Sequence, residues 1–169
     1  MALINTTTTG VLGSTFFGDG SGDLTIQQNG VTVNKITSQP AFSAYASAGT
    51  SLSNATFTKI NYATEDFDTN NNFASSRFTP TVAGYYQINA TVRFNGTFTA
   101  GGLILFKNGA NAGYLENGAG NFVTGSSLQY MNGSTDYLEI YVNLTGSSLT
   151  VSNNNENTSR LSGVLVRAA

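Results

Sequence analysis

Five Asn-Gly dipeptides punctuate the chain, at Asn29-Gly30, Asn95-Gly96, Asn108-Gly109, Asn117-Gly118 and Asn132-Gly133. The pair tolerates the positive φ angles that both central residues of a type I′ turn require, and that turn has the twist of an antiparallel hairpin. A chain punctuated in this way folds as hairpins. The intervening segments alternate as half-buried strands do, with Tyr86, Ile88, Ala90, Val92 and Phe94 on one face and Tyr85, Gln87, Asn89, Thr91 and Arg93 on the other. Leu138, Ile140, Val142 and Leu144 alternate with Tyr137, Glu139, Tyr141 and Asn143, while the unbroken apolar run Leu103 to Phe106 suits a strand covered on both sides. No segment keeps a period of 3.6, the helical repeat, and the reading is an all-β protein with almost no helix.

Charge narrows the function. Charged residues make up 9% of the 169 positions, against an ordinary share of about 25%. Hydrophobic residues reach only 40%, so Gly, Thr, Ser and Asn have taken the place of the charges. Histidine, cysteine and tryptophan are absent, which removes the commonest general base, the thiol nucleophile and thiolate metal sites. The seven basic residues are scattered and the net charge is −2. A nucleic-acid surface needs basic residues clustered together, so that role is not expected. Neither is a membrane role, since no apolar run approaches a span. Met1 to Asn5 shows no charged, apolar leader of the secretory kind.

Two parts are expected. Residues 1–39 are rich in Thr and Gly and carry a compact hairpin reading from Leu24 to Val33, while residues 40–169 hold the long strands and most aromatic side chains. A segment that short does not bury a core of its own. Phe16, Phe17, Leu24, Ile26, Val31 and Val33 would then present an apolar face, which makes this part a candidate docking arm. Its face has three possible covers: another protein, the main domain, or copies of itself in an oligomer.

The series Tyr62, Asp68, Phe73, Phe78, Gly84, Tyr86 and Ile88 resembles the pattern of the globular domain shared by complement C1q and the tumour necrosis factors. Tyr and Ile here replace the first and last Phe of that pattern. Upstream, Pro40-Ala41-Phe42-Ser43-Ala44 resembles the family's first strand, and Ser159 to Val166, with its Ser162-Gly163 pair, resembles its last. The resemblance implies a ten-stranded antiparallel jelly-roll sandwich that assembles as a homotrimer. Short strands at regular intervals with turn residues between them also make a sandwich on physical grounds, and in it Phe42, Phe57, Phe73, Phe78, Tyr86, Ile88, Leu103, Leu105, Leu128, Tyr130, Leu138, Ile140 and Leu165 would fill the space between the sheets. Carried over residue by residue, the resemblance implies Phe42, Tyr45, Tyr86, Leu128, Tyr130 and Leu161 at or near the trimer seam.

Phe78-Thr79-Pro80-Thr81-Val82-Ala83-Gly84-Tyr85-Tyr86 and Asn132-Gly133-Ser134-Thr135-Asp136-Tyr137 resemble the phage and bacterial variants of that domain, and Phe16 to Gly22 resembles openings of phage appendage proteins. The expectation is therefore a non-enzymatic bacteriophage virion protein, assembled in the host cytoplasm. It would serve as a capsid decoration (cement) or head-fibre knob, held to the capsid or another virion protein through residues 1–39. The alternatives are the tip of a tail fibre, where Asn70-Asn71-Asn72 and Asn153-Asn154-Asn155 would meet a host surface glycan, and a secreted bacterial adhesion module.

Other sites are weaker. Glu65, Asp66 and Asp68 gather three of the nine acidic residues. Calcium is one reading of them and a solvated acidic loop the other. Gly18 to Asp23 lacks the third acidic position and the closing Glu of a hand-type calcium loop. Sequons such as Asn54-Ala55-Thr56 arise readily in a chain this rich in Asn and Thr. No catalytic residue, cofactor or phosphate-binding loop is expected.

Overall fold

The computed structural model describes residues 15–17, 24–28, 31–36, 39–47, 49–152 and 158–169. The chain divides into two units, 1–39 and 40–169, each described by itself. In the first, β1 (Thr15–Phe17), β2 (Leu24–Gln28) and β3 (Val31–Ile36) form an antiparallel sheet in that order. The hairpin expected from Leu24 to Val33 is thus β2 and β3, with a register irregularity between Ile26 and Gln27. The side chains of Phe16, Phe17, Leu24, Ile26, Val31 and Val33, on which the docking face depends, lie outside the described residues.

The second unit is a sandwich. Its strands are β4 (Ala41–Tyr45), β5 (Thr58–Lys59), β6 (Thr64–Asp68), β7 (Phe73–Ala74), β8 (Arg77–Phe78), β9 (Gly84–Phe98), β10 (Ala100–Lys107), β11 (Ala110–Asn117), β12 (Gly120–Met131), β13 (Leu138–Thr145), β14 (Thr150–Val151) and β15 (Arg160–Ala168). One sheet of six runs β11-β10-β13-β8-β7 with β5 on β13, and the other runs β12-β9-β15-β4-β6 with β14 on β9. The strand count exceeds the expected ten because β5, β7, β8 and β14 are two-residue pairings. The described residues contain no helix.

Alternation builds the core as expected. The inward residues of β9 from Tyr86 to Phe94 are all buried, as are Leu138, Ile140, Val142 and Leu144 of β13. Phe42 stacks on Phe73 and Phe78 at 4.8 and 4.5 Å between ring centroids, and Phe78 meets Tyr86 edge-on at 5.2 Å. Aromatic pairs in these geometries add stability beyond the area they bury. The Tyr86 hydroxyl donates to the Val82 carbonyl at 2.8 Å, and burial pushes its pKa up to about 12.

Two expectations need correction. Phe57, Leu128 and Tyr130 do not fill the space between the sheets; they are 46%, 53% and 44% exposed. In β12 the buried side chains are Val123 and Met131, an even distance apart, so the intervening Leu128 and Tyr130 fall on the opposite face. Asn95-Gly96, Asn117-Gly118 and Asn132-Gly133 are not hairpin turns; the last two join β11 to β12 and β12 to β13, strands that lie in different sheets. Thr150 and Val151 of β14 pair with Asn95 and Phe94, and β9 runs through to Phe98. Asn108-Gly109, with φ of +54° and +79°, does make the expected tight turn between β10 and β11.

Candidate functional site

An antiparallel sheet with one wet face shows apolar residues inward and polar residues outward. The β12-β9-β15-β4-β6 sheet departs from this rule. Of the nine large apolar side chains exposed among the described residues, it carries seven: Phe67, Tyr85, Phe122, Leu128, Tyr130, Val164 and Val166.

Strand register sets these residues in rows. Tyr130 lies opposite Tyr85, which in turn lies opposite Arg167. In the next row Leu128 faces Gln87, Gln87 faces Val164 and Val164 faces Ala41. Below it run Ser126, Asn89, Ser162, Ser43 and Phe67. The Tyr85 and Tyr130 rings meet edge-on at 5.5 Å, and Lys107 Nζ donates to the Tyr130 carbonyl at 2.6 Å. The face thus has an aromatic and aliphatic end bordered by Arg167, a neutral hydroxyl and amide middle, and Arg93, Arg160 and Asp66 towards its other end.

The six seam candidates divide between the two sides of this sheet. Phe42, Tyr86 and Leu161 point inward and are buried in the chain's own core, while Tyr45, Leu128 and Tyr130 belong to the outer face. Tyr85, Val164, Val166 and Phe122 extend that face without having been singled out from the sequence. Once Val123 and Met131 fix the inward phase of β12, alternation and register identify Tyr85, Val164 and Phe122, whereas Val166 is the extra residue of a bulge between Leu165 and Arg167.

The acidic cluster is an edge strand rather than a loop. β6 pairs with β4, with a shift between Ser43 and Ala44 that leaves Asp66 as the extra residue. Asp66 accepts from the Ser43 hydroxyl at 2.8 Å and is ion-paired with Arg160. The Asp68 carboxylate accepts from the Asn70 and Phe73 amides at 3.2 and 2.7 Å. Glu65 is exposed. Among the described residues, no group of three acidic side chains gathers as metal ligands. Asn153-Asn154-Asn155 lies outside the described residues.

No protein-family model matches the chain. No curated protein matches it in sequence. Solved structures do match in fold. The globular domain of zebrafish complement 1qA superposes with a TM-score of 0.55 at 15% identity, covering 77% of this chain and 99% of that one. Murine APRIL gives 0.56 at 12% identity, covering 76% and 99%. The PRD1 vertex protein P5 gives 0.54 at 18% identity, covering 76% and 97%. With its two antiparallel sheets and the Phe42, Phe78 and Tyr86 core, the unit from residue 40 to 169 has the jelly-roll fold of the C1q and tumour necrosis factor domains.

Proposed function

We propose that the chain is a non-enzymatic structural protein of a bacteriophage virion, a homotrimer closed through the outer face of the β12-β9-β15-β4-β6 sheet. The observation that carries this reading is the apolar character of that face, where Leu128, Tyr130, Tyr85, Val164 and Val166 stand exposed together. Contiguous exposed apolar surface of this kind marks an interface. A closed ring of identical chains hides it on every copy. The likeness of fold to a vertex protein supports a place in a virion. Within the virion, the role proposed is capsid decoration or a head-fibre knob, with residues 1–39 as the arm that fixes it to the particle.

Two experiments test this. Light scattering of the purified chain is expected to give three times 17.7 kDa; a monomer at micromolar concentration removes the trimer. Deleting residues 1–38 is expected to leave the trimer intact and abolish its binding to expanded capsids, and undiminished binding removes the docking arm. Binding to host cells in place of capsids would favour the tail-fibre tip, and secretion by a bacterium the adhesion module.

A further inference from the structure

On the outer side of the other sheet, three charged residues far apart in sequence meet. Lys59 Nζ and Arg77 Nε both donate to Glu139 Oε1, at 2.7 and 2.9 Å. The Glu139 side chain is only 5% exposed, while Lys59 and Arg77 stay 31% and 45% open. Burial pushes the Glu139 carboxyl up, but the hydrogen bonds from Lys59 and Arg77 outweigh it and hold the group below its ordinary range. Two cations share one carboxylate, which leaves one positive charge uncompensated. The Arg77 guanidinium lies over the Tyr137 ring at 3.9 Å, and only its Nε is hydrogen-bonded within the described residues.

That charge borders a pocket of about 450 Å³ whose lining includes Lys59, Asn71, Asn72, Ser75, Arg77 and Thr79. Pockets for small molecules have about this volume. Two features of the wall stand out. Asn72 is 4% exposed, yet neither atom of its side-chain amide finds a partner among the described residues, which is rare for a buried polar group. Ser75 and Ser76, with φ of +52° and +57°, form the two-residue turn between β7 and β8. The same geometry at β10 and β11 is made by Asn108-Gly109, the pair that suits it. Serine there is strained, and such strain clusters at ligand sites. Lys59 Nζ holds the turn by donating to the Ser75 carbonyl at 2.9 Å.

We propose that this pocket binds an acidic saccharide, a sugar bearing one carboxylate such as a uronic or sialic acid. The open edge of the Arg77 guanidinium receives the carboxylate as a planar fork, with Lys59 beside it. One residual positive charge suits a monoanion and not a dianionic phosphate. The hydroxyls and amide of Asn71, Ser75 and Thr79 both donate and accept, as the adjacent hydroxyls of a sugar demand. The site is built within one chain on the sheet away from the proposed seam, so it stands or falls independently of the trimer and of the virion role.

The test is titration of the full chain, followed by calorimetry and amide chemical shifts. The probes are oligosaccharides ending in glucuronate, galacturonate or sialate, their neutral counterparts, and glucose 6-phosphate. At least one carboxylated sugar is expected to bind about tenfold or more tightly than its neutral counterpart, with shifts concentrated over residues 71–79, and Arg77→Lys is expected to weaken it by about tenfold. Ser75→Gly, which relieves strain and so keeps the fold, is expected to weaken it as well. The proposal is overturned if none of the carboxylated sugars binds, if a neutral or phosphorylated sugar binds as tightly, or if both variants bind like the parent.

Discussion

Gly163 stands opposite Phe42 in the pairing of β15 with β4, and the ring of Phe42 occupies the space that a side chain at 163 would need. A Cβ there would lie 2.5 Å from Phe42 Cε1 and 2.9 Å from Ile88 Cδ1. Phe42 is itself held between Phe73 and Phe78, so the ring cannot retreat without opening that stack. Gly163→Ala is expected to destabilise the domain by about 1–3 kcal/mol, the range of overpacked cores. Urea unfolding measures it; a loss below about 0.5 kcal/mol, the size of an ordinary surface change, would show that the stack yields freely.

Glu139 gives the fold an acid-sensitive point. Because its folded pKa is depressed by Lys59 and Arg77 against the opposing effect of burial, its contribution is complete above the unfolded value, about 4.3, and is lost as pH falls through the lower folded value. Asp136 acts in the same direction, its carboxyl held low by hydrogen bonds from Asn108 and Lys107. Glu139→Gln is expected to cost about 2 kcal/mol at pH 7, the scale of a lost charge-assisted hydrogen bond, and to flatten the decline in stability between pH 5 and 3. Urea midpoints across that pH range check both, and an unchanged acid limb in the variant would assign the decline to other groups.

Ser75 tests whether turn strain is real. A serine at φ +52° occupies the left-handed region, which costs an ordinary residue about 1–2 kcal/mol, and among the described residues no side-chain hydrogen bond of Ser75 offsets it. Ser75→Gly is expected to raise stability by about 1 kcal/mol, a Tm increase of a few degrees for a domain of this size. Ser76 is the contrast: it shares the positive φ but donates to Asn61 Oδ1 at 3.1 Å, so Ser76→Gly is expected to gain less. Calorimetry of the two variants orders them, and the reverse order would refute this account.

What the sequence revealed follows from which interactions are local. The inward run from Tyr86 to Phe94 was legible because alternation is a property of one strand, and the Phe78, Gly84, Tyr86 spacing carried the fold through its resemblance. The outward position of Leu128 and Tyr130 was not, because β12 has apolar residues in both phases and only its pairing with β9 selects one. Asn95-Gly96 misled for a similar reason: the partner that keeps it in a strand, β14, lies some fifty residues away. The pocket was still less accessible. Lys59 is opposite Tyr141 and Phe78 opposite Leu138, and it is that register which brings Lys59 and Arg77 to Glu139.

The outer face of the long sheet makes the sharpest demand on the proposed trimer. Leu128 lies in the row with Gln87 and Val164, beside the Tyr85 and Tyr130 pair, at the most apolar part of that face. A carboxylate introduced there stays hydrated in a monomer but loses its water in a closed seam, which costs several kcal/mol. Leu128→Glu is therefore expected to leave the fold intact and raise the dissociation constant of the trimer by about a hundredfold or more, since each 1.4 kcal/mol is a factor of ten. Val164→Glu is expected to do the same. Phe57→Glu is the control, because Phe57 is comparably exposed but packs edge-on against Phe106 of β10, on the other sheet; it should leave the trimer unchanged. Light scattering across a dilution series distinguishes the cases, and a seam that tolerated Leu128→Glu while Phe57→Glu broke the assembly would place the interface on the opposite sheet.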